Sequence, residues 1–142
     1  KIKFIYRDEL WHGADMLSLG VSSFGIIDGV HYQNEANIDR YIERIEAGES
    51  AIFRAMTMTD EEKFIREFIL QLKLGRVEPG YFKVKFGIAV NERYSDLLKT
   101  YQREGWVTKA NGSIELSRDG LLQVDRLLHG FFLAQHRTNR IT

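Results

Sequence analysis

The sequence predicts an α+β fold, mainly helical: a few N-terminal strands, then a helical unit carrying one β-hairpin. Three observations predict it. Apolar residues recur at helical spacing through most of the chain after residue 37. "VTKANGSIEL" sets an Asn-Gly turn between two strand-like runs, a strong short-range hairpin signal. Before residue 37, "IKFIY" and "MLSLGV" are short apolar runs bounded by turn residues, which read as strands. A strand pair this isolated is marginal in water, so it is expected to complete a sheet or barrel whose remainder lies outside the chain.

Taken in order, residues 2–6 read as a strand and "ELWHGAD" as a turn carrying Trp11. Residues 16–21 read as a buried strand that runs into "GVSSFGIIDGVHYQN", rich in glycine and serine. Ile38, Tyr41, Ile42 and Ile45 then form one apolar helical stripe, with Asn37 as N-cap and Gly48 as the stop. Thr59 and Glu62 make a capping box for a helix that buries Phe64, Ile65, Phe68, Ile69 and Leu72 and ends at Gly75. Pro79 opens a turn before "GYFKVKFG", read as a short helix because Phe82 and Phe86 are four apart. Asn91 is expected to cap a helix with Tyr94, Leu97, Leu98 and Tyr101 inward, ending at Gly105. After the hairpin, Ser117 caps a last helix carrying Leu121, Leu122, Val124, Leu127, Leu128, Phe131 and Phe132. Three helices, a hairpin and a closing helix are the order of a winged-helix-like unit, over about residues 59–133.

Composition narrows the chemistry. The 142 residues carry no net charge, so nothing global calls for nucleic acid or an anionic membrane. Zero cysteines exclude disulfides, a thiolate nucleophile and any cysteine-held zinc or iron–sulfur site within the chain. No apolar run approaches the ~20 residues of a membrane span, and the cytoplasm is the expected location. The chain begins at Lys1 and turns apolar at once, which predicts a piece of a longer protein.

The candidate motifs are weak one by one. The four histidines lack metal-ligand spacing. "GVSSFG" is neither a dinucleotide fingerprint nor a serine elbow, and Arg66 has Glu62 one helical turn away as a partner. The helix before the hairpin mixes Arg93, Lys99 and Arg103 with Glu92, Asp96 and Glu104. That is a solvated face rather than a basic reading helix, so DNA binding has no electrostatic support. No catalytic residue and no metal ligand is expected in this chain.

As an ordered series, three segments resemble a known family. "DMLSLGVSSFGIIDGVHYQN", "IDRYIERIEAGESAIFRAMTMTDEEKFIREFILQLKL" and "YSDLLKTYQREGWVTKANGSIELSRDGLLQVDRLL" look like the C-terminal third of oxygen-independent coproporphyrinogen III oxidases. The marks are L-G-V-S, the Gln33–Asn34 pair, Tyr41, Gly48, "MT" before an acidic helix start with Arg66, and G-W-V…I-x-L-S-x-x-G. The family consists of radical S-adenosylmethionine (SAM) enzymes that oxidatively decarboxylate the propionates of a tetrapyrrole during haem biosynthesis. The resemblance implies that residues 1–36 are the terminal strands of a partial α/β barrel and that 37–142 form a winged-helix-like domain enclosing substrate. It implies S-adenosylmethionine and a [4Fe–4S] cluster held by the missing N-terminal barrel, and no activity for this segment alone. It places Phe24 beside the adenosine, flanked by Ser22, Ser23 and Gly25, with Gln33 and Asn34 facing ligand or serving structure. Arg66 would tie the helical domain to the barrel. Where the family commonly has Ala-Ile-Ser after "GVS", this chain has Ser23, Phe24 and Gly25. Relatives of this architecture include haem chaperones, haem-degrading enzymes and radical methyltransferases, which these segments do not separate.

Overall fold

The structure, a computed structural model, describes residues 4–110 and 112–132, the side chain of Ala110 aside. The chain divides into two compact units, Lys1–Lys63 and Phe64–Thr142.

In the first unit the N-terminal strand is replaced by helix α1, Ile5–Trp11. Residues 1–3 lie outside the described residues, but from Ile5 onward helix wins because Arg7, Glu9 and Leu10 are good helix formers. One-turn contacts reinforce them: the Arg7 guanidinium stands 5.4 Å over the Trp11 ring. The strand expected at 16–21 shrinks to a single bridge between Met16 and Ile26. Beyond it the chain turns away, with Gly20 at φ 99° and Ser22 at φ 60°.

Extended structure appears later than expected. Strands β1, Phe24–Ile27, and β2, Val30–Asn34, pair antiparallel around Asp28–Gly29, with Ile27 opposite Val30. Both turn residues are left-handed, φ 49° and 72°, as a two-residue hairpin with the strand twist requires. Strand β3, Ile52–Thr57, joins the other edge of β2 and was not anticipated. Helix α2, Ile38–Glu46, lies between them in sequence, and Asn37 caps it as expected, accepting from the Arg40 amide at 3.1 Å. Its stripe, however, is not buried: Ile38, Ile42 and Ile45 are exposed, while Tyr41 turns inward and its hydroxyl accepts from the Gly20 amide.

Helix α3, Asp60–Lys73, starts on the expected capping box, Thr59 Oγ1 and Glu62 satisfying each other's backbone N–H. The unit division falls within this helix. The second unit holds the main core. Phe64, Phe68, Phe82 and Phe131 are wholly buried there; Phe64 meets Phe82 edge-on at 5.5 Å, and Phe68 lies 4.9 Å from Phe131. A two-residue strand β4, Arg76–Val77, escaped the sequence reading. Helix α4, Pro79–Phe86, forms as expected, with Pro79 at its start and Gly87 left-handed at its end. Asn91 is not a cap: α5, Val90–Arg93, already includes it, and the chain breaks at Tyr94 before α6, Ser95–Arg103.

Strands β5, Val107–Ala110, and β6, Ser113–Leu116, form the expected hairpin; its turn residue Asn111 lies outside the described residues. The sheet order is β4-β6-β5. Ser117 caps as expected, its Oγ accepting from the Gly120 amide at 3.1 Å. The last helix is broken into α7, Arg118–Leu122, and α8, Val124–Leu128, followed by a 3₁₀ turn, His129–Phe131. The break rotates Leu121 and Leu122 to solvent, whereas Leu127, Leu128 and Phe131 remain buried. No helix among the described residues is long and apolar enough to cross a membrane.

Candidate functional site

The β1–β2–β3 sheet carries Phe24, Gly25, Gln33 and Asn34 of the expected site residues and sorts them by face, while Ser22 and Ser23 lie in the turn that leads into β1. Residues directly opposite on paired strands share a face, as do residues two apart on one strand. Phe24 is opposite Gln33, which is opposite Arg54; Ile26 is opposite His31, which is opposite Met56. The other face carries Gly25, Tyr32 and Asn34.

That second face is structural. The Tyr32 ring covers Gly25, and the Tyr32 hydroxyl accepts from the Ser18 amide at 2.9 Å. Asn34 is buried, and its amide donates to the Gly20 carbonyl and to Ser23 Oγ, both at 3.1 Å. Ser23 Oγ in turn donates to the Gly20 carbonyl, and the Ser22 amide donates to the Glu35 carbonyl. Bonds of Ser22, Ser23 and Asn34 thus pin the loop that leads into β1, while Gly25 makes room for the Tyr32 ring. Of the two roles held open for Asn34, these bonds support the structural one.

The first face is open. Phe24 is 46% exposed and stacks on the His31 ring, with centroids 5.6 Å apart and planes 17° from parallel. Beside them Gln33 Oε1 accepts from Arg54 Nε at 2.8 Å, and Met56 is exposed. Only Ile26 on this face is buried. Arg54 was missed in the sequence because β3 was not recognised, and His31 because the β1–β2 hairpin was not. The β-prone run "AIFRAMT" was the available signal.

One polar cluster of the second unit was also not foreseen. Glu67, buried on α3, accepts from the Tyr81 hydroxyl and from Lys85 Nζ, each at 2.7 Å, and Lys85 also donates to Tyr81. Burial, helped by the bond to Glu67, raises the Tyr81 pKa against the opposing pull of Lys85. Burial would lower the Lys85 pKa, but its bonds to Glu67 and Tyr81 outweigh this and raise it. Both partners stay protonated, so this is a closed brace between α3 and α4 rather than an acid–base pair. Arg66 is half-buried, and burial lowers its pKa, partly offset by the charge of Glu67. The Glu62 carboxylate expected to face Arg66 closes the cap on Thr59. An open cavity of about 690 Å³ is lined by Ile65, Arg93, Tyr94, Asp96 and Phe131 among others, and by none of the expected site residues. Among the described residues no cluster of His, Asp and Glu is placed to hold a metal ion.

Residues 58–122 match the family model described as the HemN C-terminal domain. Oxygen-independent coproporphyrinogen III oxidases of Salmonella typhimurium and Salmonella typhi are each 24% identical over 114 residues, covering 78% of this chain and 25% of theirs. The chain therefore spans about a quarter of the length of these curated relatives. A solved structure, coproporphyrinogen III oxidase (HemN) from Escherichia coli, described as a radical SAM enzyme, superposes with a TM-score of 0.71. That match has 20% identity and covers 82% of this chain and 28% of that one. The fold is shared well beyond the matched domain: residues 58–122 match the HemN C-terminal domain model, within a chain similar to part of oxygen-independent coproporphyrinogen III oxidases.

Proposed function

We propose that this chain is the C-terminal part of a cytoplasmic radical SAM oxidoreductase of the coproporphyrinogen III oxidase type, acting on a tetrapyrrole. The observation that carries the reading is the joint match: a HemN C-terminal domain at 58–122 inside a fold similar to HemN over 82% of the chain. In this reading residues 1–36 belong with the barrel, and the missing N-terminal barrel holds the [4Fe–4S] cluster, since this chain has no cysteine to do so. The order α3–β4–α4–α5–α6–β5–β6, with β6 central in its sheet, supports the winged-helix-like description.

The open face of β1–β2 fits one side of an S-adenosylmethionine site. Phe24 offers an exposed apolar ring on which a flat base can lie, steadied from beneath by His31. Ser22, Ser23 and Gly25 set the backbone that aims it, and Gln33 presents a polar group on the same face. When bound, S-adenosylmethionine with the cluster supplies the radical that attacks a propionate; this chain's part is to wall and orient the ligands. Phe24→Ala in the natural polypeptide carrying this sequence is expected to weaken S-adenosylmethionine binding several-fold, read by equilibrium dialysis. Unchanged affinity would remove Phe24 from the site.

A second reading, a winged-helix-like module for protein or DNA, is favoured only by the element order. A salt-sensitive gel shift with duplex DNA would support it.

A further inference from the structure

We propose that Arg54, oriented by Gln33, binds a carboxylate of a ligand whose flat part lies against the Phe24–His31 stack. The inference deepens the reading above and rests on it.

Four facts converge. The register puts Phe24, Gln33 and Arg54 in one row across three strands, so all project from the same face. Adjacent strands are about 4.8 Å apart, which sets the aromatic end and the guanidinium end of that row about 10 Å apart at the backbone. Gln33 holds Arg54 through Nε alone, leaving the two terminal nitrogens, the ones that form the planar fork, for another acceptor. Among the described residues no carboxylate pairs with Arg54, although 20 acidic residues balance 20 basic ones in the chain.

A lone surface arginine has no need of a second side chain to fix its Nε. Here the fixing group belongs to the neighbouring strand and the same row, and preorganisation of this kind is what anion recognition requires. The row therefore reads a ligand that combines a flat, apolar body with a carboxylate on a short arm. Both expected ligands have such a group: the tetrapyrrole has carboxylate side chains, and S-adenosylmethionine has an amino-acid carboxylate beyond its adenine. The shared chemistry is the carboxylate.

The test titrates the natural polypeptide carrying this sequence with coproporphyrin III, with its tetramethyl ester and with S-adenosylmethionine, for wild type, Arg54→Gln and Arg54→Lys. Losing a charge-assisted fork should weaken binding of the carboxylate ligand about ten- to a hundredfold in Arg54→Gln. Arg54→Lys should fall between the two because it keeps charge without the fork. If the porphyrin is the source, coproporphyrin III weakens while its ester binds both forms alike. If S-adenosylmethionine is the source, only its binding falls. Equal binding of every probe by wild type and Arg54→Gln overturns the assignment, as does a wild-type chain that binds none of them. Circular dichroism of the variants separates a lost contact from a lost fold. Either negative result leaves the family reading standing, because that reading fails on turnover by the natural polypeptide, not on this titration.

Discussion

A side chain at position 25 would collide with Tyr32: a Cβ built on Gly25 lies 2.3 Å from the Tyr32 ring. The glycine is thus explained within the sheet, by the ring packed on it across the strand pair. Gly25→Ala is expected to destabilise the first unit by about 1–3 kcal/mol, the usual cost of overpacking. Tyr32→Ala should relieve that clash, so the double variant costs less than the sum of the two single ones. Urea unfolding followed by tyrosine and tryptophan fluorescence measures this; strict additivity would contradict the packing account.

Asn34→Ala removes the amide that holds the Gly20 carbonyl and Ser23 Oγ. Buried acceptors left unsatisfied cost about 1–3 kcal/mol. The loss should appear as faster hydrogen exchange at the Ser22 and Asn34 amides, whose bonds to Glu35 and Ser23 the loop maintains. A variant with unchanged exchange but lost ligand binding would make Asn34 a ligand residue.

Two glycines of the second unit should respond in opposite ways. A Cβ on Gly120 would sit 2.2 Å from the Trp106 carbonyl oxygen, a backbone atom that cannot swing aside. Gly120→Ala should therefore lower the melting temperature by several degrees. Gly80, inside α4, has open space around its Cβ direction, and Gly80→Ala should stabilise by about 0.5–1 kcal/mol. Equal effects at the two positions would contradict the described packing.

The Glu67–Tyr81–Lys85 brace predicts a pH dependence at the alkaline end. Both Tyr81 and Lys85 have folded pKa values raised above the ordinary 10.0 and 10.5. The folded state then holds these protons more tightly than the unfolded one, so stability falls as pH rises. The contribution is complete below about pH 10 and is lost as pH climbs through the raised values. Urea midpoints should drop more steeply above pH 10 in wild type than in Glu67→Gln. Parallel slopes would remove the brace from the account.

How much of this was legible depended on where burial comes from. The core of the second unit was legible: Phe64 and Phe68 keep helical spacing because they face a core within the same chain. Thr59 with Glu62, and Ser117 with Gly120, announce their caps through bonds only three residues long. The first unit misled because its apolar residues do not mark a local core. Ile38, Ile42 and Ile45 have helical spacing yet are exposed, and Phe53 and Met56 of β3 are exposed too. The Asp28–Gly29 turn was in plain view but lay inside a run read as strand and glycine-rich segment. Arg54 could not stand out before β3 was placed, because its relation to Phe24 exists only through the register of three strands.

The central claim is tested most directly by turnover. The natural polypeptide carrying this sequence, prepared without oxygen with iron, sulfide and a reductant, is given coproporphyrinogen III and S-adenosylmethionine. The account predicts vinyl-bearing product and carbon dioxide together with 5′-deoxyadenosine, all diminished by Phe24→Ala. An intact, cluster-loaded protein that cleaves S-adenosylmethionine yet leaves coproporphyrinogen III unchanged would contradict it.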